Sequence, residues 1–305
     1  MIYKIIQKRK IFLTLSGLII TASLVALFSW GLNFGLDFTG GSLLEVKFDN
    51  YQPSVTEVQS SVQDLNLQSL VIQPTEDSVI LRFKDDSEDV YQSVLASLQV
   101  LAEEKETTVS QLQFDSIGAS IGQELKSKSF NAAIIVFLMI ILYISWAFKS
   151  VSKPVASWKY GITAIIALLH DLILILGVFS VLGHFYGTEI NTPFIAAVLT
   201  ILGYSVSDTI VIFDRIRENL PKSNEDFENT VNRSLNQTLT RSFNTSFSSI
   251  LALLAVIFLG GSTIKDFAIA LAIGIGVGTY SSIFIASPAL VIWNNLTHRR
   301  QKNKA

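Results

Sequence analysis

The run TPFIAAVLTILGYSVSDTIVIF, residues 192–213, ends at the charged cluster Asp214, Arg215, Arg217 and Glu218. It is long enough to cross a bilayer, which takes about 20 residues. A single carboxylate, Asp208, interrupts it. An ionised aspartate at the centre of a membrane helix costs about 2.5–3.5 kcal/mol on insertion scales. Acids kept at such depth face a bundle interior or a watery cavity and mark ion or proton paths. Asp208 is therefore the first candidate for a working group. The plainer alternative is a carboxylate satisfied by its neighbours Ser205, Ser207 and Thr209, serving only to lock helices together.

The rest of the chain extends this reading. Half of its 305 residues are apolar, only 16% are charged, and the apolar ones gather in long blocks. That distribution marks an integral membrane protein. The lack of cysteine excludes disulfides, thiol catalysis and Cys-ligated metals. His170, His184 and His298 stand too far apart in sequence to give metal-site spacing. Six spans are expected, near residues 11–31, 130–148, 160–182, 192–213, 243–261 and 267–292. Lys8, Arg9 and Lys10 precede the first, as in a secretory signal. Its apolar stretch is too long for one and no small-residue cleavage site precedes Trp30, so a retained signal-anchor is expected.

The net charge of −2 carries no message, but its distribution does. With the N-terminus in the cytoplasm, the cytoplasmic segments hold 16 of the 23 Lys and Arg. They include Lys149, Lys153 and Lys159 after the second span, Arg215, Arg217, Lys222, Arg233 and Arg241 after the fourth, and Arg299, Arg300, Lys302 and Lys304 at the end. The two short outer loops are nearly free of base. The positive-inside rule then places both termini in the cytoplasm.

About a hundred polar residues, 32–129, separate the first two spans and suffice for one small domain. Their pattern reads strand (42–48), helix (54–65), strand (68–73), strand (78–83), helix (87–106), strand (108–114). Alternation supports the strands, as in Val79 to Phe83, and Val90, Val94, Leu98 and Leu101 make one helix face. The order βαββαβ is the split βαβ, ferredoxin-like unit. The fold class is thus an α-helical polytopic membrane protein with six transmembrane helices and one extracytoplasmic α+β ferredoxin-like domain. Its segments are 1–31, 32–129, 130–292 and a basic tail, 293–305. The acidic domain lacks calcium-loop spacing and any catalytic constellation.

Further motifs carry less chemistry. Asp214 lies six residues after Asp208, about 9 Å along a helix, near the headgroups; it pairs with Arg217 or Arg215, or ends a proton exit path. Adjacent His170 and Asp171 form a second intramembrane ionisable pair, about 100° apart on a helix and under no need to touch. Asp171 either supports Asp208 across the bundle or is structural. The glycines of FGLDFTGG, residues 34–41 (Gly35, Gly40 and Gly41, with Asp37), suggest a tight bend at a hinge between span and domain. No helix follows it as a phosphate loop requires. Gly274 and Gly278 give a GxxxG packing face in the last span. Phe227, Val231, Leu235 and Leu239 make residues 225–239 an amphipathic helix on the cytoplasmic face. Gly260 to Lys265 lacks Walker A spacing.

Two of these runs, FGLDFTGG after the first span and GYSVSDTIVIFDRIREN (residues 203–219) closing the fourth, make the chain resemble the SecD/SecF family of the RND superfamily. The resemblance covers essentially the whole chain, and its length suits the SecF side of the family. It implies an accessory role in the Sec pathway, with no enzymatic activity, no cofactor and protons as the coupling ion. Implied partners are SecD, the SecYEG channel with SecA, YajC and YidC as further candidates, unfolded exported proteins and membrane lipids, with no nucleic acid. Asp208 matches the family's intramembrane acid. Arg241 matches its arginine near the start of the fifth span, against the alternative of a snorkelling side chain. An RND-type exporter of small molecules or lipids and a passive scaffold are the competing readings. The first usually needs two six-span halves; the second predicts that Asp208→Asn leaves export intact.

Overall fold

The computed structural model describes residues 3–75, 77–147, 156–260 and 262–302. Phe148, Lys149, Lys153, Gly261 and Lys304, used above for span ends and charge, lie outside the described residues. The chain divides into two compact units, residues 34–130 and residues 1–33 with 131–305.

The α/β unit runs α2 (Leu36–Thr39), β1 (Gly41–Phe48), α3 (Val55–Ser61), β2 (Val71–Pro74), β3 (Val79–Phe83), α4 (Glu88–Glu104), β4 (Val109–Ile117). Its sheet is antiparallel throughout, in the order β2-β3-β1-β4. Strand alternation turns Leu44, Val46 and Phe48 of β1 and Val79, Leu81 and Phe83 of β3 to one face. Against them α4 sets Tyr91, Val94, Leu98 and Leu101, spaced as one helical stripe. Val90, expected on that stripe, packs at its edge because Tyr91 takes the central position. The expected helix 54–65 ends early: α3 stops at Ser61 and a 3₁₀ turn covers Gln63–Leu65. Left-handed Asn66 then terminates it.

Ser54 and Glu57 form a capping box at the start of α3. Glu57 also lies 2.6 Å from the Lys105 ammonium and accepts from the Tyr51 hydroxyl at 2.8 Å. Lys105 foremost, then the Ser54 backbone N–H and the Tyr51 hydroxyl, hold the Glu57 carboxyl at about 2, below the ordinary 4.5. A depressed folded-state value gives stability that is fully present above pH 4.5 and lost as pH falls through about 2. Glu57→Gln is therefore expected to flatten the acid limb in that window. Limited proteolysis of the full chain against pH, scoring cuts within residues 34–130, reads it; an unchanged limb would show that the cluster adds nothing.

The helical unit contains α1 (Arg9–Trp30), the second half of α5 (Ala119–Ala147), α6 (Ser157–Tyr186), α7 (Thr192–Asn219), α8 (Phe227–Leu259), α9 (Ser262–Ser281) and α10 (Ser287–Lys302). Among the described residues six segments are long and apolar enough to cross a membrane, the last running from Ile264 to Thr297 through α9 and α10. A π-helical stretch, Ser282–Ala286, joins those two. Pro288 accounts for it: the ring lacks an N–H and clashes with the carbonyl four residues back. Ser287 Oγ donates to the Ser282 carbonyl at 3.2 Å.

The separate amphipathic helix at 225–239 is corrected. Those residues open α8, which runs unbroken for 33 residues into the fifth span. No glycine or proline stands between Phe227 and Leu259 to stop it. Its buried Val231 and Leu235 are covered by protein, because the chain's start docks there. Asn232 and Asn236 bond the backbone of Tyr3 and Ile6, and Arg9 pairs with Glu228 at 2.5 Å.

Candidate functional site

Four helices converge on the polar centre of the helical unit. Asp208 of α7 is half-buried. Its Oδ1 accepts from Ser242 Oγ of α8 at 2.5 Å, while Oδ2 is buried and finds no hydrogen-bond partner among the described residues. Satisfaction by Ser205, Ser207 and Thr209 does not occur. Ser205 donates to Asp171, Thr209 bonds Ser282, and Ser207 is exposed. With Ser205 and Thr209 engaged elsewhere, the partner of Asp208 comes from across the bundle.

Asp171 of α6 is deeply buried. Its Oδ1 lies 3.0 Å from His170 Nδ1, so the adjacent side chains do touch. Its Oδ2 accepts from Ser205 Oγ of α7 at 2.6 Å and from Ser281 Oγ of α9 at 2.7 Å. Ser282, next along, bonds Thr209 Oγ1 at 2.9 Å. Two consecutive serines thus divide between the two carboxylates' neighbourhoods. A second polar layer joins Ser246 of α8 to Tyr204 at 3.0 Å and to Thr279.

Arg241 directly precedes Ser242, is exposed, and makes no ion pair with Asp208 among the described residues. Asp214 is exposed and lies 3.7 Å from Arg217, a surface pair of little energetic weight. Gly274 packs on Ile201, whose side chain would meet an added Cβ at 2.2 Å. At Gly278 an added Cβ would stand 3.0 Å from Ser205 Cβ. This close approach of α9 to α7 brings Ser281 and Ser282 to the acids.

Gly35, Asp37, Gly40 and Gly41 lie in the α/β unit around the short α2. Gly40 and Gly41 take φ of +70° and +118°, which side chains resist. An added Cβ would stand 2.7 Å from Ala119 Cα at Gly40 and 2.5 Å from the Phe83 carbonyl at Gly41. The pair is a tight backbone crossing. Sequence reasoning passed over Gly122, whose added Cβ would lie 2.9 Å from the Gly40 nitrogen. It also passed over Ser281 and Ser282; hydroxyls inside apolar runs were the available signal.

The family model described as "Protein export membrane protein SecD/SecF, C-terminal" matches residues 97–296, and the "SecD/SecF GG Motif" matches residues 25–51. Protein translocase subunit SecF of Thermobaculum terrenum is 42% identical, over 95% of this chain and 94% of its own length. That of Anaerolinea thermophila is 39% identical, over 95% and 94%. The crystal structure of SecDF, a translocon-associated membrane protein from Thermus thermophilus, superposes with a TM-score of 0.82 at 31% identity. The match covers 97% of this chain and 39% of that one. With the two motifs, the six apolar helices and these matches together, the chain belongs to the SecD/SecF family of protein export membrane proteins.

Proposed function

We propose that this chain is the SecF-type subunit of a proton-driven unit that promotes protein export through the Sec channel after the ATP-driven steps. The observation that carries it is Asp208: a carboxylate in an apolar span with one oxygen hydrogen-bonded and the other buried with no hydrogen-bond partner among the described residues. Such a group gains and loses a proton with little rearrangement around it. Coupling to export comes from the α/β unit, read as a ferredoxin-like module on the outer face. Its βαββαβ order and 2-3-1-4 sheet support the first part, and the basic inner loops support the second. The protein sits in the bacterial inner membrane with both termini cytoplasmic.

SecD is the expected partner, since the Thermus chain named SecDF is matched over only 37% of its length and leaves room for a second half. The open side of α8, with Phe243, Phe247, Leu251 and Phe258 exposed beside Arg241, suits a second helical half there. Arg241 would then complete a cavity shared with that half. SecYEG with SecA, YajC and YidC, unfolded exported proteins and lipids complete the assembly; protons are the coupling ion and no cofactor is required. The test is purification of the tagged chain from its membranes, with gradient-dependent export assayed in vesicles with and without it. Recovery of a SecD-like partner and loss of gradient-dependent export in its absence are expected. Purification without any SecD-like or channel-like protein would overturn the reading.

A further inference from the structure

We propose that His170 and Asp171 form a second proton-binding centre, at which Nε2 of His170 takes up and releases the proton. Three groups surround the Asp171 carboxylate: Ser205 and Ser281 at one oxygen and His170 Nδ1 at the other. A carboxylate oxygen accepts, so Nδ1 supplies the hydrogen of that contact. The neutral ring then has its lone pair on Nε2. His170 is only 7% exposed, and nothing among the described residues bonds Nε2. With a neutral ring the pair carries one negative charge inside the bundle. A proton delivered by hydronium forms the Nε2–H bond, releases water and leaves an imidazolium–carboxylate pair of zero net charge. Release is the reverse step. The carboxylate fixes the tautomer and the imidazole does the exchange.

The surroundings favour this division. From α9 the Tyr280 ring lies 6.3 Å from the imidazole. Its hydroxyl is engaged by Ser16 at 2.9 Å and the Phe12 carbonyl at 3.2 Å. From α1 no charged side chain follows Lys10, and residues 282–286 have none. From α7 come Ser205 and, three residues on, Asp208. On α6 itself Lys159 is eleven residues away, about 16 Å along the axis; from α10 Thr297 meets that lysine at 2.9 Å. The link to Asp208 is the Ser281–Ser282 step: one hydroxyl holds Asp171, the next holds Thr209 beside Asp208. A change of charge at the His170–Asp171 pair acts on Ser281, which directly precedes the π-helical stretch.

The relevance to export rests on the proton reading above, but the titration does not. With three histidines in the chain, nitrogen-15 histidine labelling of the full protein in lipid nanodiscs gives few signals. His170→Gln assigns the one of interest. The expected result is a neutral Nδ1–H ring that takes up a proton at Nε2 on acidification within the pH range over which the protein stays folded. Asp171→Asn, whose side-chain amide no longer demands a donor, is expected to restore the commoner Nε2–H form. A neutral Nε2–H ring in the unaltered protein, or no titration over that range, overturns the proposal. In vesicles His170→Gln is expected to change the pH profile of gradient-driven export. If Asp208→Asn abolishes that export while His170→Gln leaves the profile unchanged, the proton reading stands and the second centre falls. If His170 titrates as expected while Asp208→Asn has no effect, the centre stands and the export reading falls.

Discussion

Asp208→Asn is expected to leave the helical unit folded and partnered while removing the whole gradient-dependent part of export. Asparagine keeps the shape of aspartate, and its carbonyl still accepts from Ser242, whose hydroxyl lies 2.5 Å from Oδ1. The remaining position becomes an amide nitrogen, which does not exchange its charge state. Stability should change by no more than about 1 kcal/mol, the net worth of one hydrogen bond. Export from vesicles with a proton gradient should fall to the level seen without one, with recovery of the partner subunit unchanged. Gradient-dependent export at the unaltered level would make Asp208 a structural acid. Asp208→Ala is a poorer probe, because it strips the buried Ser242 hydroxyl of its acceptor and confounds folding with function.

Gly177→Ala should be among the most damaging small substitutions in the helical unit. An added Cβ at Gly177 would stand 2.3 Å from Ser23 Cβ and 2.6 Å from Ser23 Cα. The second contact is with the main chain of α1, so no rotamer change relieves it. Nearly one turn further along, Ser180 Oγ donates to the Ala26 carbonyl at 3.0 Å, a bond that needs the same closeness. Small residues on both helices, Ser23 and Ala26 against Gly177 and Ser180, permit the approach, as is usual between membrane helices. Forcing α1 away from α6 should cost about 1–3 kcal/mol. Thermal unfolding followed by the four tryptophans measures it, with Gly17→Ala as control, since nothing lies within 4 Å of a Cβ there. Equal melting temperatures for the two variants would refute the crossing as described.

Much of the architecture was legible along the chain. Apolar runs of membrane length, ended by Arg215, Arg217 and the other bases, located the helices because bilayer thickness sets a length that local hydropathy records. Alternation in Val79 to Phe83 located β3 because a strand's faces repeat every two residues. Asp208 stood out because a charge in an apolar run has no local explanation. The start of α8 was misread as a surface helix for a related reason: its polar residues resemble an interface, and nothing in the local pattern shows that the N-terminal segment covers it.

The candidate site was legible only in its acids. The sequence by itself determined that Asp171 and Asp208 lie within membrane spans, that Gly274 and Gly278 share a helix face, and that FGLDFTGG leads into the α/β unit. Only the tertiary structure decided which groups meet these acids. Ser242 reaches Asp208 across 34 residues of chain and Ser281 reaches Asp171 across 110. The physical reason is range. Hydropathy and helical period describe each segment against solvent or lipid, whereas hydroxyl-to-carboxylate bonds depend on how helices cross. Those crossings are set by close approaches at Gly177 and Gly274 and by the Pro288 bulge, none of which changes the hydropathy of its span.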